Sequence, residues 1–441
     1  MQSDNSLRWT LDHGPWTGFQ RRAGMLAILA VVLDGFDIQL LGVVLPALIK
    51  EWNLPREAFV PVIGLGIVAM SVGTAINGWL GDRFGRKLTL LASMIVFGLG
   101  TLMTVMATGM PLFIVARLIA SVGLGGAMPS AVALLSEFTP VRRRSFMVTL
   151  GMICTPVGGV LAGLVSAWLL PVYGWQSLFL VGGLLPLVLA GIMLVALPES
   201  PQFLASRPGR RAELERFAAR LGVAPSPGDL GATAQAGEAK AGYGALFAGG
   251  EWKVTLLLWS HFLFVLTTAY TVFNWLPTLS TATGFTVAQG GMFLAAFNFG
   301  GIAGALIGAL CIDRSGSRRL TISFGLGAAA ASLVAFGTFG VGTPVAVLAG
   351  TIFFAGLFIA GLQPMLFAIA AAAYPVQLRG TGVGTALAVG RLGAIASSYI
   401  GAVLIGAGAG AFFVFLGAMM MAVAAALWLM PRHVPGRQGS K

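Results

Sequence analysis

The chain has 441 residues, 57 % of them hydrophobic and only 10 % charged, with a mean hydropathy of +0.89. Soluble domains carry about 25 % charged residues, so the composition defines an integral membrane protein and excludes a soluble domain. The formal net charge of +12 does not point to nucleic acid, because nearly all Lys and Arg fall in short gaps between apolar runs, where membrane topology puts them.

Met1 to Arg22 is polar and amphipathic and lacks a signal-peptide pattern, so the first apolar run is expected to remain in the mature chain. Twelve apolar runs follow, each long enough to cross a bilayer as a helix. They centre on 24–49, 58–80, 88–107, 111–136, 145–170, 176–197, 254–280, 288–311, 319–339, 343–373, 381–406 and 410–430. The expected class is an all-α membrane protein of twelve transmembrane helices in two six-helix pseudo-repeats. Its divisions are a cytoplasmic N-terminal segment (1–22), a six-helix bundle (23–197), a cytoplasmic linker (198–253), a second six-helix bundle (254–430) and a cytoplasmic tail (431–441).

Basic residues set the orientation. With the N-terminus inside, the inner gaps collect Arg21, Arg22, Arg83, Arg86, Lys87, Arg142, Arg143, Arg144, Arg314, Arg318, Arg319 and Arg379, while the outer gaps hold only Lys50 and Arg56. Both termini are therefore expected in the cytoplasm. In the linker, Leu214, Phe217, Ala218 and Leu221 among Arg210, Arg211, Glu213, Arg216 and Arg220 predict a short amphipathic helix on the inner leaflet, stopped by Gly222. The Ala/Gly/Ser/Pro-rich stretch 224–244 reads as a flexible tether.

The halves carry related loops. Gly81-Asp82-Arg83-Phe84-Gly85-Arg86-Lys87 follows run two, and Asp313-Arg314-Ser315-Gly316-Ser317-Arg318-Arg319 follows run eight. Thr139-Pro140-Val141-Arg142-Arg143-Arg144 follows run four, and Tyr374-Pro375-Val376-Gln377-Leu378-Arg379 follows run ten. Parallel six-helix repeats joined on the inside are a common design of alternating-access carriers.

Four charges lie deep in apolar runs: Asp34 and Asp37 in run one, Arg117 in run four and Arg391 in run eleven. An acid at the bilayer centre costs about 2.5–3.5 kcal/mol on insertion scales, so each needs a partner, water or a role. Spaced three apart, the two acids leave the same face of a helix. A structural reading makes these charges salt bridges locking three helices. A functional reading makes Asp34 and Asp37 proton carriers and the two arginines the grip on an organic anion, since a guanidinium stays charged and binds a carboxylate bidentately. Tyr270, Phe273, Asn274 and Pro277 recur at helical spacing beside Trp275 in run seven. With Asn298 and Gln363, these polar and aromatic residues are candidate ligand contacts, against a bland reading as interface anchors and interhelical bonds. The gating candidates are Gly78, Asp82, Arg83, Gly85 and Arg86 with Glu137 at the inner end of run four, a carboxylate–guanidinium latch at tight helix junctions. Arg143, Asp313, Arg314 and Arg379 join them from the related loops. Cys154 and Cys311 lie inside apolar runs and His13, His261 and His433 are scattered, so no catalytic set, metal site or cofactor is expected.

Taken together, the twelve runs, the paired loops, Arg117 before a Gly-rich stretch and Pro198-Glu199-Ser200-Pro201 resemble the major facilitator superfamily. Asp34-Gly35-Phe36-Asp37 resembles the signature of its aromatic acid:proton symporter family, and Trp275-Leu276-Pro277 a run common there. The resemblance spans about Gly24 to Pro431. It implies a cavity between the halves, transport that needs Asp34 and Asp37, and gating by Asp82 with Arg86. Ser315 and Ser317 stand where Phe84 and Arg86 stand in the first half, so the second loop departs from the pattern. The function expected is import of a small aromatic carboxylate such as a benzoate or hydroxybenzoate, with protons, by a monomer in a bacterial inner membrane, with the proton as coupling ion and no cofactor. An exporter of drugs or metabolites, or an importer of another organic anion, would use the same fold.

Overall fold

The computed structural model describes residues 7–223, 243–248, 251–340 and 342–433, and these are almost wholly helical. In chain order the helices are α1 (Leu7–His13), α2 (Gly18–Trp52), α3 (Val60–Phe84), α4 (Arg86–Val105), α5 (Met110–Glu137), α6 (Val141–Ala196), α7 (Pro201–Ala205), α8 (Arg211–Arg220), α9 (Trp252–Ala282), α10 (Val287–Ser315), α11 (Ser317–Thr338), α12 (Val345–Ala373), α13 (Val376–Ala407) and α14 (Ala409–Leu429). Eleven of the described helices are long and apolar enough to cross a membrane. One of them, α6, has 56 residues. At about 1.5 Å per residue it would run some 84 Å, far beyond a hydrocarbon core of about 30 Å. It breaks at Gly174, whose φ of 74° no right-handed helix contains, so it makes two passes and the described helices make twelve in all. At the matching place in the second half, α13 and α14 are joined through Gly408 alone, with φ 94°.

The chain forms two compact units, and their boundary does not follow the linker. The first unit takes the chain up to Gly35, Val68–Gly158, and the stretch from Phe179 into the central segment. Its helices touch through backbone: a side chain at Gly73 would collide with the Val122 carbonyl, and one at Gly125 with that of Met70. A buried amide sits at this seam, with Asn77 donating to the Gly73 carbonyl (3.0 Å) and accepting from Ser93 (2.8 Å). The linker helix α8 forms as expected, and Gly222 stops it with φ 75°. Its apolar face does not lie on lipid, however. Leu214, Phe217 and Ala218 are buried, with the Phe217 ring 5.7 Å from Phe19 and 6.0 Å from Phe138. A protein groove offers those side chains closer packing than a leaflet does. The expected tether falls on residues 224–242, outside the described residues, while Tyr243–Leu246 forms a 3-10 turn with Leu246 buried.

The second unit holds α9 to α14 together with Phe36–Ile67 and Gly159–Leu178. Helices α10 and α12 meet backbone to backbone, since side chains at Gly300 and Gly304 would strike the carbonyls of Phe353 and Leu357. The first-half segments join by the same device. Gly42 abuts the Phe273 carbonyl, Gly163 abuts that of Gly291, and a Cβ at Gly64 would stand 3.1 Å from the Ser398 hydroxyl. Small residues allow this closeness, which is what drives helix association where lipid removes the hydrophobic incentive. The C-terminal end of α2 is tied to the break in α6 by Trp175 donating to Glu51 (2.9 Å) and stacking edge-on to Trp52 (5.8 Å).

Candidate functional site

In the first unit, Asp34 and Arg117 are buried, 1 % and 5 % exposed. Asp34 sits where α2 presses on α6, because a side chain at its neighbour Gly35 would run into the Thr155 carbonyl. The Arg117 guanidinium lies over the buried Phe179 ring, 5.4 Å from its centroid, and Phe179 is held edge-on by Phe113 at 6.0 Å. A guanidinium over an aromatic face is attracted by the ring quadrupole. The first unit thus holds one acid and one base of the four intramembrane charges.

In the second unit, Asp37 is fully buried on α2. Arg391 on α13 is only half-buried and lies within electrostatic reach of Tyr270 on α9. Tyr270 and Phe273 are also half-buried, 5.9 Å apart and edge-on, and Phe273 meets Phe297 at 5.7 Å. Beside them the Asn274 side-chain amide Nδ2 is buried without a hydrogen-bond acceptor among the described residues. Aromatic edges, a guanidinium and an unused amide donor together suit a planar anion. Gln363 is half-buried on α12, one residue before Pro364. Trp275 and Asn298 are placed differently from expectation. The Trp275 ring is fully buried against Gly401 of α13, a helix-packing position. Asn298 exchanges two hydrogen bonds with Gln39 of α2, from Gln39 Nε2 to Asn298 Oδ1 (2.9 Å) and from Asn298 Nδ2 to Gln39 Oε1 (2.7 Å). Its amide is committed within the protein in this conformation.

The residues expected to form the inner latch are gathered in the first unit. Arg86 donates to Asp82 (2.7 Å), and Gly85 turns the chain between α3 and α4 with φ 105°. Glu137 lies within electrostatic reach of Arg86 and accepts from the Ser200 hydroxyl. Ser200 in turn caps α7 through the Phe203 N–H (3.0 Å). Glu199 accepts from the backbone N–H groups of Lys87 and Ser200, both 2.9 Å, and Arg207 donates to the Asp82 carbonyl (3.2 Å). Asp82, Arg86 and Glu137 stand out in the sequence by charge, whereas Glu199 and Ser200 join this hydrogen-bonded cluster without such a mark. The signal was present in Pro198-Glu199-Ser200-Pro201, an N-cap serine before a proline-initiated helix. Arg83 and Arg143 lie elsewhere, over the Trp79 and Trp16 rings at 5.3 and 5.7 Å. Gly78 has open space where a side chain would stand, so no tight junction forms there. In the second half, the side chains of Asp313 and Arg314 lie outside the described residues, and Arg379 is exposed. That end carries a different pair, unforeseen from sequence: Arg432 grips both oxygens of Glu251 at 2.8 Å. His433 stands 3.3 Å from Ser317, its imidazole held below the ordinary value by burial and by the charge of Arg318.

A twelve-pass helical fold with buried acids and bases on its membrane helices defines a secondary carrier of the major facilitator type. The profile of the "Sugar (and other) transporter" family matches residues 25–434, and the chain belongs to that family. It is 36 % identical to the 4-hydroxybenzoate transporter PcaK of Pseudomonas aeruginosa, over 89 % of this chain and 88 % of that one. Identity to the gallate transporter of Pseudomonas putida is 34 %, covering 95 % and 93 %. Identity to the 3-(3-hydroxy-phenyl)propionate transporter of Escherichia coli is also 34 %, covering 87 % of each. Among solved structures, a D-xylose-proton symporter superposes with a TM-score of 0.71 at 17 % identity, over 95 % of this chain and 98 % of that one, which is a likeness of fold.

Proposed function

We propose that this protein imports a small aromatic carboxylate, of the benzoate or hydroxybenzoate class, together with protons by alternating access. The reading places it as a monomer in a bacterial inner membrane, both termini in the cytoplasm, with no cofactor beyond the coupling proton. The observation that carries the substrate class is the half-exposed group of Tyr270, Phe273 and Arg391 beside the unused amide of Asn274. The rings take the planar face of the ligand and the guanidinium takes its carboxylate. The names of the relatives, for hydroxybenzoate, gallate and hydroxyphenylpropionate, support the same class.

Asp37 and Asp34 are the proton carriers in this reading. In this reading a proton on a carboxylate and a substrate anion at an arginine arrive together, each offsetting the charge the other brings. Protonation and anion capture then reinforce one another, and the halves rock with both aboard. The membrane potential supplies about 2.3 kcal/mol per net charge per 100 mV, and each unit of pH gradient about 1.4 kcal/mol per proton.

The test is uptake of labelled 4-hydroxybenzoate into proteoliposomes under an imposed proton gradient. Wild-type protein is expected to accumulate the label, and Asp37→Asn to abolish accumulation while retaining exchange of label across the membrane. Accumulation by Asp37→Asn overturns the coupling role. Uptake of a neutral or cationic compound in place of aromatic acids overturns the substrate class.

A further inference from the structure

The Gln39–Asn298 pair has a construction that transport by Asp37 and the arginines does not use. Both side chains are buried, 2 % and 0 % exposed. Each amide gives one hydrogen bond and takes one from the other, a closed ring across two helices from different halves of the sequence. Asn298 spends its remaining N–H on the Leu294 carbonyl of its own helix (2.9 Å), which fixes the orientation of its amide. The third wall is Gly159 of α6, where a side chain would collide with Gln39 and stand 2.6 Å from Asn298 Oδ1. The pair is thus matched in donors and acceptors, and a glycine makes room for it. Gln39 lies two residues beyond Asp37, on the stretch of α2 that leads away from the termini. Beyond the pair the seam between α6 and α10 is closed by Gly163 against Gly291, with the Ser166 hydroxyl 2.5 Å from where a Cβ of Gly291 would be.

We propose that the reciprocal Gln39–Asn298 amide pair is the clasp that holds the two sequence halves together on the side away from the termini, and that it opens and recloses in each transport cycle. The inference rests on the alternating-access reading above. Amides suit the task better than an ion pair would. They carry no charge to compete with the proton on Asp37, and once parted each can bond to water in the opened path. Gln39 is in this sense a positioning residue: it ties the proton-bearing segment of α2 to α10, so release of one half is felt at the acid. Two interhelical hydrogen bonds in a membrane protein contribute about 0.6 kcal/mol each on average, so losing both shifts the closed-to-open ratio about fivefold to tenfold.

The experiment reads the seam directly and needs no substrate. A parent carrying Cys154→Ser, Cys311→Ser and Ser166→Cys is placed in nanodiscs, where both faces meet solvent, and the rate of labelling by a water-soluble maleimide is measured. Gln39→Leu and Gly159→Ala are each expected to speed labelling about fivefold to tenfold. The exchanged pair, Gln39→Asn with Asn298→Gln, is expected to return the rate toward that of the parent. Gln39→Glu adds a signature that mere packing does not produce. Its protonated form still donates to Asn298 and its ionised form does not, so labelling relative to the parent rises with pH. Gln39→Leu labelling at the parent rate overturns the clasp, as does Gln39→Glu labelling that is flat against the parent across pH. A protein that transports no aromatic acid but still shows these rate changes defeats the substrate reading and leaves the clasp standing.

Discussion

Arg117 and Arg391 are alike in sequence, each a lone guanidinium in an apolar helix, but their surroundings separate them. Arg117 is buried under the Phe179 ring, whereas Arg391 is half-exposed beside Tyr270. The exposed one is the ligand grip in our reading. Arg391→Lys keeps the charge and loses the flat bidentate fork, so the KM for uptake is expected to rise about tenfold, in line with a charge-assisted bond of about 1.5–3 kcal/mol. Arg391→Ala is expected to raise it further, and KM values for 4-hydroxybenzoate check both. Residues of this kind were legible in the sequence because a charge inside an apolar run stands out. Gln39 was not, because an uncharged amide in a membrane helix is read only when its partner is known, and Asn298 lies on a helix of the other half. Trp275 was misplaced for the converse reason: the sequence places a tryptophan on a helix but does not show that Gly401 lies opposite to receive it.

At the level of helices, glycine content alone did not separate the contacts that matter from those that do not. Gly304 of α10 leaves no room, since any side chain meets the Leu357 carbonyl, yet Gly78 of α3 has space around it. Gly304→Val is therefore expected to lose at least about 1–3 kcal/mol through overpacking and to lower the yield of folded protein. Gly78→Ala is expected to be neutral or to gain up to about 1 kcal/mol from helix propensity. Thermal unfolding of the two purified variants checks this contrast. The sequence did anticipate α8 from its apolar spacing, but not that Phe19 and Phe138 would cover its face, because a leaflet and a protein groove accept the same pattern. The charged cluster around Asp82 was legible in part. Asp82, Arg86 and Glu137 declared themselves by charge, while Glu199 and Ser200 act through backbone N–H groups and a capped turn that only folding assembles.

For the whole molecule, the number of passes decides where the ends lie. Twelve, with α6 counted twice across Gly174, puts both termini on one side; eleven would separate them. Reporter fusions to each end are expected to read the same compartment, which in our proposed orientation is the cytoplasm. The twelve apolar runs carried the number of passes in the sequence. The division into units did not show there, since Phe36–Ile67 and Gly159–Leu178 leave the first-half segments and join the second half through contacts far apart in the chain. Gly174 and Gly408 carry a practical consequence. Each forms an entire connection between two passes, a left-handed residue with helix on both sides. Those two corners give a protease no extended strand to seize and an inserted epitope no slack to occupy, so affinity tags and antibody handles for this protein belong at other connections.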